Sequence, residues 1–579
     1  MPVHNAEIID GFNEMADLLE IEGANQFRVR AYRNAARIIA SLPQSVAEMV
    51  GRNEDLTQFP GIGKDLANKI VQMVKTGTFP ELKELEGRMP GELGKLMRVA
   101  GLGPKRVHAL YETLGISTMK QLKEAASKGA ISELPGFGKK TEQAILEELG
   151  GTTEEGTEGK KERVKLPVAE EIAESLVHYL KAVKGIQNIE VAGSYRRKKE
   201  TVGDLDILAT CSAECPIMEH FTQYEDVKKV ISHGSTRSSV ILRSGLQVDL
   251  RLVPQVSYGA ALHYFTGCKE HNIAIRKLGM KSGLKINEYG VFKNDKQIAG
   301  KTEEEVYRQV GLAYIEPELR ENWGEIEAAR EGHLPRLVEQ KHIKGDLHTH
   351  TKETTDGRNT PLEMAEAAAR LGYAYIAITD HTQRLAMTRG FDAARLATRN
   401  QEIDQLNRKL KSIHILKSIE VDIHEDGSLD LPDSILKELD ITVCSIHSRF
   451  NLPKSKQTER ILKAMENPYF HILAHPTGRL IDERQPYDVD MEQLMKAARA
   501  KGCFMEVNGN PDRLDLSDRF CKMAKDFGVH VSISTDAHSR TDLLFMRFGV
   551  AQARRGWLEA NDVINTRSWA DVKKLLRSR

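Results

Sequence analysis

Cysteine is scarce in this chain: there are 6 among 579 residues, and they are scattered along it. This scarcity excludes a disulfide-stapled scaffold and is typical of a cytoplasmic protein with reduced thiols. No apolar run reaches the ~18 residues that a membrane-spanning helix needs. The first residues also lack the basic and apolar regions of a signal peptide. We therefore expect a cytoplasmic protein with no membrane partner.

Net charge is also absent, because 83 basic residues balance 83 acidic ones. This balance does not exclude nucleic acid, since binding depends on local patches rather than on totals. Basic residues cluster between Arg28 and Arg37 and in the run Arg196–Lys199. A solvated helix face is the commoner explanation for any single run of this kind, so charge alone leaves the function open.

The length predicts three to five domains, at roughly 100–200 residues each. Residues 150–162 contain only Gly, Thr, Glu and Lys, and residues 317–341 are rich in charge, so both segments are interpreted as linkers. The first block is helical by pattern, and the middle block alternates short strands and helices. The third block repeats an apolar strand, a polar turn and a helix about seven times, which is typical of a barrel-like α/β layout.

A motif of the form apolar-x-Gly-apolar-Gly, followed closely by lysine, occurs three times in the first block, at residues 59–64, 99–105 and 134–139. The glycines allow a tight turn between two helices, and backbone N–H groups at the start of the second helix can hold a phosphate. One copy would indicate an ordinary helix–helix turn, but three copies favour helix-hairpin-helix motifs that grip the DNA backbone. The expected DNA contacts are Gly61, Gly63, Lys64, Gly101, Gly103, Lys105, Gly136, Gly138 and Lys139.

Three aspartates of the middle block form a candidate nucleotidyltransferase site. Asp204 and Asp206 are two apart in a strand-like stretch and so share one face, and Asp249 lies in another alternating strand. Three carboxylates in one cleft repel each other unless divalent cations lie between them. Two Mg²⁺ ions held there can activate a 3′-hydroxyl and stabilise a leaving pyrophosphate. Asp-x-Asp alone usually marks the polar side of an exposed strand, but Gly193-Ser194 before it, expected to begin a phosphate-receiving helix or turn, makes the pattern more specific.

This block resembles the family X DNA polymerases, of which DNA polymerase beta is the best-known member. The resemblance rests on residues 191–208, Asp249, residues 264–267 and residues 286–289. It implies Mg²⁺ or Mn²⁺ at the aspartates. It also implies a set of nucleotide contacts: Gly193, Ser194, Arg197, Gly203, Tyr264, Phe265, Gly267, Asn272 and Arg276.

Residues 31–33 and 60–63 resemble the small lyase domain of the same family. The matching position for the Schiff-base lysine of that domain is Lys69, with Tyr32 nearby. The sequence departs from the beta enzyme at Asp65 and Phe27, where that enzyme has a basic residue and a histidine. A lysine on the polar side of a helix is more often a plain solvent contact, so both interpretations of Lys69 stay open.

Histidines and carboxylates recur through the third block, nearly all directly after an apolar strand. The motif Asp346-Leu-His-Thr-His350 places two histidines on one face of a strand end. Carboxyl ends of strands are where barrel folds collect their chemistry. Nitrogen and oxygen ligands without cysteine suit two or three Zn²⁺, Mn²⁺ or Fe²⁺ ions, which lower the pKa of bound water for attack on a phosphodiester. The candidate ligands are His348, His350, Asp356, His381, Glu420, His447, His475, Asp536 and His538.

The third block resembles the PHP (polymerase and histidinol phosphatase) family, whose fold is a distorted (β/α)7 barrel. The candidate ligands fill every position of that family's metal-binding pattern, which favours catalysis over an inactive scaffold. The resemblance implies that Glu420 bridges metal ions.

Together these patterns predict a multidomain chain of α+β and α/β regions. The expected domains are a lyase-like helical DNA-binding domain (1–85), a helix-hairpin-helix domain (86–150), a linker (151–163), a nucleotidyltransferase palm (164–255), a nucleotide-selecting thumb-type domain (256–318), a linker (319–340) and a PHP phosphoesterase domain (341–575).

The pairing is similar to bacterial and archaeal members of family X. It predicts a monomeric DNA-repair polymerase that adds dNTPs in gapped or primed double-stranded DNA. The PHP domain is expected to act as a 3′–5′ exonuclease, with abasic-site endonuclease as a further candidate activity. Two alternatives stay open: a PHP phosphatase for small phosphate monoesters, and a DNA-binding scaffold without catalysis.

Overall fold

The computed structural model describes residues 5–40, 46–59, 61–89, 93–97, 99, 102–132, 134, 137–138, 141–142, 145–146, 163–212, 215–384 and 388–577. Gly101, Gly136 and Lys139, which the sequence predicts to contact DNA, lie outside the described residues. The chain divides into two compact units, one of residues 1–163, 224–229 and 241–246, the other of residues 164–223, 230–240 and 247–579. None of the described helices is long and apolar enough to cross a membrane.

Residues 5–146 form helices whose apolar faces meet in one core. The helices are α1 (Asn5–Ile21), α2 (Gln26–Ala40), α3 (Val46–Gly51), α4 (Lys64–Thr76), α5 (Pro80–Arg88), α6 (Leu93–Leu96), α7 (Pro104–Leu114) and α8 (Met119–Ser127), with a short 3-10 helix at Leu56–Gln58. The buried core runs from Ile8 to Ile145, and inside it the rings of Phe12 and Phe79 meet edge to face at 5.6 Å. Because helices on both sides contribute to it, the predicted boundary between residues 85 and 86 does not separate two cores.

A five-stranded sheet follows the first predicted linker. The elements are β1 (Val164–Lys165), α9 (Leu166–Lys181), β2 (Ile186–Val191), α10 (Gly193–Arg196), β3 (Thr201–Val202), β4 (Asp204–Cys211), α11 (Ile217–Thr222), β5 (Val227–His233), β6 (Arg237–Leu242) and β7 (Gln247–Leu252). The sheet order is β2-β4-β7-β6-β5, and β1 pairs with β3. In β4 the first residues alternate between partly exposed and buried. This alternation is typical of a sheet that covers a core with one face only.

A small antiparallel sheet, in the order β10-β9-β8, comes next. The elements around it are a 3-10 helix at Gln255–Ser257, α12 (Tyr258–Thr266), α13 (Lys269–Lys281), β8 (Lys285–Asn287), β9 (Gly290–Lys293), β10 (Lys296–Ala299), α14 (Glu303–Gln309) and a 3-10 helix at Pro317–Leu319.

The segment 319–340 is packed, and the prediction of a linker there is wrong. It contains helix α15 (Glu325–Glu331), and its apolar residues join the core of the preceding small sheet. The side chains of Arg320 and Glu325 are fully buried, and Arg320 donates to Glu303 Oε1 at 2.5 Å. Buried charges persist when they are paired. A composition rich in charge therefore did not mean solvent exposure.

The third block alternates strands and helices. Its elements are β11 (Gly345–Thr349), α16 (Pro361–Arg370), β12 (Tyr375–Ile378), α17 (Ala393–Lys409), β13 (His414–Lys417), β14 (Glu420–Asp422), α18 (Asp433–Leu436), β15 (Val443–Ser445), α19 (Lys454–Ala464), β16 (Ile472–Leu473), α20 (Met491–Lys501), β17 (Phe504–Asn508), α21 (Asp518–Asp526), β18 (Val531–Ser534), α22 (Met546–Arg555) and α23 (Trp569–Arg577). Short 3-10 helices lie at Gln340–His342, Asp542–Phe545, Ala560–Asp562 and Ile564–Thr566.

The described strands of this block form two parallel sheets, β11-β12-β13 and β14-β15-β16-β17-β18. The chain passes from the first sheet to the second where β13 ends at Lys417 and β14 begins at Glu420. Side chains of both sheets, including Leu347 and Phe504, pack into one buried cluster. The parallel α/β arrangement agrees with the PHP fold, and a closed (β/α)7 barrel stays a prediction.

Candidate active sites

Two of the predicted catalytic carboxylates lie opposite each other on neighbouring strands. β4 and β7 are parallel, and Asp206 is the register partner of Asp249. Asp204 lies two residues before Asp206, so its side chain leaves the same face of the sheet. Leu205, between them, is fully buried on the other face. Strand pairing therefore brings the three predicted ligands to one face.

Gly193 brings the predicted phosphate-binding turn against these carboxylates. Its φ of +66° lies in the left-handed region, and a Cβ there would lie 3.1 Å from Asp206 Oδ2. Helix α10 begins at this glycine and includes Ser194. A side chain at position 193 would therefore fill the space beside Asp206.

Asp249 is engaged by polar and basic neighbours. Its Oδ2 lies 3.3 Å from Arg237 Nη2, and its Oδ1 accepts from Gln247 Nε2 at 3.2 Å. Burial raises the pKa of Asp249, but hydrogen bonds to its carboxylate and the charge of Arg237 outweigh burial, so the pKa is lowered. The three predicted ligands do not form a group whose ligand atoms all lie within 4.8 Å of one another. A cation bound there would have to compete with Arg237 for Asp249.

The predicted sugar-lining turn is organised around Gly267. Helix α12 ends at Thr266, and Gly267 follows with a φ of +69°. Asn272 donates from Nδ2 to the carbonyl of Tyr264 at 2.6 Å, and Arg197 donates from Nη1 to the carbonyl of Thr266 at 2.5 Å. The structure thus brings four of the predicted nucleotide contacts together.

The remaining predicted nucleotide contacts have other surroundings. The guanidinium of Arg251 lies over the ring of Phe265, 4.3 Å from its centroid. Gly203 is buried directly before β4, and Arg276 is exposed on α13.

The basic run Arg196–Lys199 is not a solvated helix face. Each of its side chains pairs with a carboxylate of the same chain. The partners are Glu303 for Arg196 (2.7 Å), Glu170 for Lys198 (3.0 Å) and Glu321 for Arg197 (3.0 Å) and Lys199 (3.2 Å). Burial raises the pKa of Glu303, but Arg320 and Arg196 outweigh burial and lower it to about 2. Glu303 is therefore negatively charged at neutral pH. Ion pairs within the chain therefore hold these side chains in place, and Arg197 and Lys199 share one carboxylate.

The Gly-x-Gly repeats form the same local turn where the structure describes them. The buried residues Ile62, Leu102 and Phe137 each donate from the backbone N–H to the carbonyl three residues earlier, at 2.9 to 3.0 Å. Gly61 has a φ of +96°, and a Cβ there would lie 2.5 Å from Asn34 Nδ2. Only glycine allows this close approach to α2 without displacing a side chain.

The second glycine of two repeats caps a helix. Gly63 and Gly103 precede α4 and α7, and neither offers a side-chain hydrogen bond to the helix start. Lys64 and Lys105 are exposed at the first turns. Helix starts without side-chain caps leave backbone N–H groups for phosphate. Gly138 likewise accepts the first helical hydrogen bonds of the third repeat.

Lys69 lines a cavity of about 450 Å³ together with Tyr32. Its Nζ lies 2.5 Å from Asp65 Oδ1 and 3.1 Å from Glu81 Oε1. Burial lowers the pKa of Lys69, but hydrogen bonds to these two carboxylates outweigh burial and raise it. Schiff-base chemistry requires a neutral amine. The two carboxylates therefore oppose the lyase role that the resemblance implies.

Five of the predicted histidine ligands surround the carboxylate of Glu420. Its Oε2 lies 2.9 Å from His381 Nδ1, and its Oε1 lies 3.1 Å from His475 Nε2. Ring nitrogens of three more histidines lie within 3.5 Å of this carboxylate: His348, His350 and His447. Glu420 begins β14, directly after the passage from β13, and its carboxylate lies among the histidines.

The predicted PHP ligands fall into three overlapping groups, in each of which the ligand atoms lie within 4.8 Å of one another. The groups are His350, Asp356, His381 and His538; His348, His350 and Asp536; and His381, Glu420 and His447. His475 is outside these groups but contacts Glu420. Each group has enough nitrogen and oxygen ligands to hold one cation.

Several of these atoms are buried without a hydrogen bond of normal geometry. They are His348 Nε2, His350 Nε2, His381 Nδ1 and Glu420 Oε2. A buried polar atom without a partner is costly, and such atoms are rare. Convergence of imidazole and carboxylate atoms of this kind fits divalent cations.

Electrostatics in the PHP cluster favour positive charge. Burial opposes the charged forms of His381 and His447, but Glu420 outweighs burial and raises the pKa of each to about 9. His350 differs, because burial and the neighbouring His538 and His381 lower its pKa to about 3. Glu420 thus stabilises positive charge at His381 and His447, whereas the surroundings of His350 disfavour it.

Sequence reasoning missed two residues that support the ligands. Glu506 is fully buried, lies 2.7 Å from His348 Nδ1 and accepts from the backbone N–H of His475 at 2.7 Å. Asn508 donates to Glu506 Oε2 and to Asp536 Oδ2, both at 3.1 Å. The available signal was a glutamate and an asparagine two apart in the otherwise apolar strand β17. Residues that hydrogen-bond to metal-binding side chains in this way fix the orientation of those side chains.

Five domain families match the chain in order. They are a helix-hairpin-helix domain at residues 3–79, a SAM-like helix-hairpin-helix tandem at 93–150, the DNA polymerase beta palm at 165–261, the DNA polymerase beta thumb at 261–321 and a PHP domain at 346–513. A Bacillus subtilis (strain 168) protein named DNA polymerase/3′-5′ exonuclease PolX is 38% identical over 580 residues, covering 99% of this chain and 100% of the relative. The chain belongs to the family X DNA polymerases. The family X palm and the PHP domain imply dependence on divalent metals.

Shorter relatives are named as probable phosphatases. One from Thermoanaerobacter sp. (strain X514) is 31% identical over 240 residues, which cover 40% of this family X chain and 91% of the relative. Another, from Caldanaerobacter subterraneus subsp. tengcongensis, is 32% identical over 203 residues, 33% of this chain and 75% of the relative.

Proposed function

We propose that this family X chain fills short gaps in duplex DNA during repair, adding deoxynucleotides to a primer 3′-hydroxyl. The supporting observation is the Asp206–Asp249 pair on adjacent strands, with Gly193 packed against Asp206. The B. subtilis relative that covers the whole chain is named as a polymerase. The substrates are dNTPs and gapped or primed double-stranded DNA, and the active form is a monomer in the cytoplasm.

At the polymerase site, Asp204, Asp206 and Asp249 would hold Mg²⁺ or Mn²⁺. When bound, these ions supply the charge that activates the 3′-hydroxyl and stabilises the leaving pyrophosphate. The chain itself binds and orients the nucleotide. The helix start at Ser194 receives phosphate oxygens, and Asn272 fixes the turn that lines the sugar.

At the PHP site, the nine histidines and carboxylates would hold two or three Zn²⁺, Mn²⁺ or Fe²⁺ ions. When bound, these ions supply a water of lowered pKa for attack on a phosphodiester. We propose that this site removes 3′-terminal nucleotides as a 3′–5′ exonuclease and also cleaves at abasic sites. The buried ligand atoms without a hydrogen bond of normal geometry support a bound cation at this site.

Two other functions are the natural rivals. A small-molecule phosphatase is supported by the relatives named as probable phosphatases. The helix-hairpin-helix turns argue against it, because a small phosphate ester needs no grip on a DNA backbone. A scaffold without catalysis is opposed by the ligand groups of the PHP site.

Parallel assays of the full-length protein separate these functions. We expect it to extend the primer of a gapped duplex when dNTPs are present, and to shorten a 3′-recessed strand when they are absent. We expect kcat/KM for histidinol phosphate to be lower than for the recessed strand by at least about a hundredfold. A chelator should remove both DNA activities. Efficient hydrolysis of histidinol phosphate without DNA degradation would favour the phosphatase, and a metal-free protein without activity would favour the scaffold.

The lyase role of Lys69 has its own test, borohydride trapping on a 5′ abasic end. If Lys69 is the nucleophile, Lys69→Ala should reduce trapping at least about tenfold. Asp65→Asn should increase trapping near neutral pH, because loss of a carboxylate lowers the pKa of Lys69 and frees more neutral amine. Lys64→Ala, at an exposed lysine of the same helix, is the matched control. Equal trapping by Lys69→Ala and wild type would reject the lyase role.

A further inference from the structure

Arg555 connects the PHP domain to the palm. It is the last residue of α22 and its side chain is 1% exposed. Its Nη1 donates to the backbone carbonyl of Arg197 at 2.7 Å and to Glu321 Oε1 at 3.1 Å, and its Nη2 donates to Asp518 at 2.5 Å. A buried guanidinium is tolerated only where acceptors satisfy it. Here one of those acceptors is the backbone of a predicted nucleotide-binding residue.

Glu321 is shared by three basic side chains. It accepts from Arg197 Nε at 3.0 Å and from Arg555 Nη1, and Lys199 Nζ lies 3.2 Å away. Burial raises the pKa of Glu321, but Arg555 and Arg197 outweigh burial and lower it. Arg555 also pairs with Asp518, whereas Arg197 and Lys199 share Glu321. Two carboxylates thus serve three cations, so Arg197 keeps charge to offer an anion.

Arg197 lies between the two turns that are proposed to hold the nucleotide. It directly follows helix α10, whose first residue Gly193 packs against Asp206. Its Nη1 donates to the carbonyl of Thr266 and would lie 3.3 Å from a Cβ at Gly267. A shift of the Arg197 backbone would therefore disturb both turns.

We propose that Arg555 is a positioning residue for nucleotide binding, so that the PHP domain keeps the polymerase site in its binding geometry. The proposal rests on the proposed gap-filling function. Arg555 fixes the carbonyl of Arg197 and shares the charge of Glu321. Without Arg555, the carbonyl loses its donor and Glu321 holds Arg197 more tightly. Both changes make Arg197 less available to a triphosphate.

The test is steady-state gap filling by full-length variants with saturating one-nucleotide-gapped DNA and varied dNTP. We expect Arg555→Ala to raise KM for the dNTP about tenfold and to change kcat less than about twofold, because Arg555 touches no reacting atom. Arg555→Lys should give an intermediate KM, since one ammonium restores the charge at Glu321 but cannot reach all three acceptors.

Arg554→Ala is the matched control. Arg554 lies in the same helix and donates to Glu318 at 2.7 Å and to the carbonyl of Val338 at 3.3 Å. Arg554→Ala should leave KM for the dNTP unchanged. Equal KM increases in Arg554→Ala and Arg555→Ala would overturn the proposal in favour of a general loss of packing. If Arg555→Ala unfolds, Arg555→Lys decides: a raised KM at wild-type melting temperature supports positioning, and an unchanged KM refutes it.

The same experiment separates this proposal from the one it rests on. If wild type extends the gapped primer and the Arg555 variants keep its KM, only the positioning role fails. If wild type does not extend the primer at all, the gap-filling function fails first. Degradation of a 3′ end should stay near wild type in Arg555→Ala, because Arg555 contacts none of the PHP ligands.

Discussion

Replacing Asp204 and Asp206 together by alanine is expected to abolish extension of a gapped primer, a loss of at least about a thousandfold or ~4 kcal/mol of transition-state stabilisation. The variant keeps Asp249 but loses two of the three carboxylates on the shared face of β4 and β7. Degradation of a 3′ end should persist, because no PHP ligand lies on these strands. Primer-extension and 3′-degradation rates on the same labelled duplex measure both effects.

Electrostatics argue against a folding defect as the source of that loss. Like charges on one face repel when no cation lies between them, so removing two of them should leave the melting temperature in chelator unchanged or raise it. Mg²⁺ should stabilise wild type more than the variant, since only wild type binds the ion well. Glu219→Ala, at an exposed carboxylate of α11 in the same region, is the control and should extend normally. Loss of both DNA activities in the aspartate variant would contradict separate sites.

The sequence pattern was enough to predict those site residues whose positions are set by a single strand or turn. Alternation in β4 was enough to place Asp204 and Asp206 on one face, because side-chain direction in a strand follows from residue parity. The position of Asp249 on that face depends on the register between β7 and β4. The Gly-x-Gly turns were predictable because a positive φ at Gly61 restricts the residue type. Most of the candidate PHP ligands could be proposed because they lie at or just after the end of an apolar strand.

Partners distant in sequence were not predictable. Nothing near the run Arg196–Lys199 reveals that Glu303 and Glu321 neutralise it more than 100 residues later. For the same reason the sequence did not reveal that residues 319–340 are packed, since the buried Arg320 pairs with the distant Glu303. Glu506 was missed because one acid in an apolar strand has no motif. The contact between Glu506 and His348 is visible only in the folded chain, which brings β17 and β11 together.

Loss of the PHP activity alone is expected from His348→Ala. His348 Nε2 lies 3.5 Å from both Glu420 and Asp536, and the side chain belongs to one of the three ligand groups. Removing a ligand should weaken metal binding by at least about a hundredfold. This is more than the loss of a residue that only contacts a ligand. Degradation of 3′ ends should disappear, and gap filling should stay within about twofold of wild type. At low dNTP the variant should even accumulate longer products, because removal no longer competes with extension.

A variant at the neighbouring Glu506 shows whether the effect of His348→Ala comes from the loss of a metal ligand. His348→Ala leaves the buried Glu506 carboxylate without its ring partner, so part of the loss comes from an unpaired charge. Glu506→Gln keeps every predicted ligand and only weakens the support of His348, so we expect a smaller loss of metal affinity, about 10- to 100-fold. His414→Ala, at an exposed histidine that begins β13, should change neither metal content nor activity. A graded loss from Glu506→Gln to His348→Ala identifies His348 as a ligand. Equal, complete loss in both would instead mean that the cluster collapses whenever its buried charges are unbalanced.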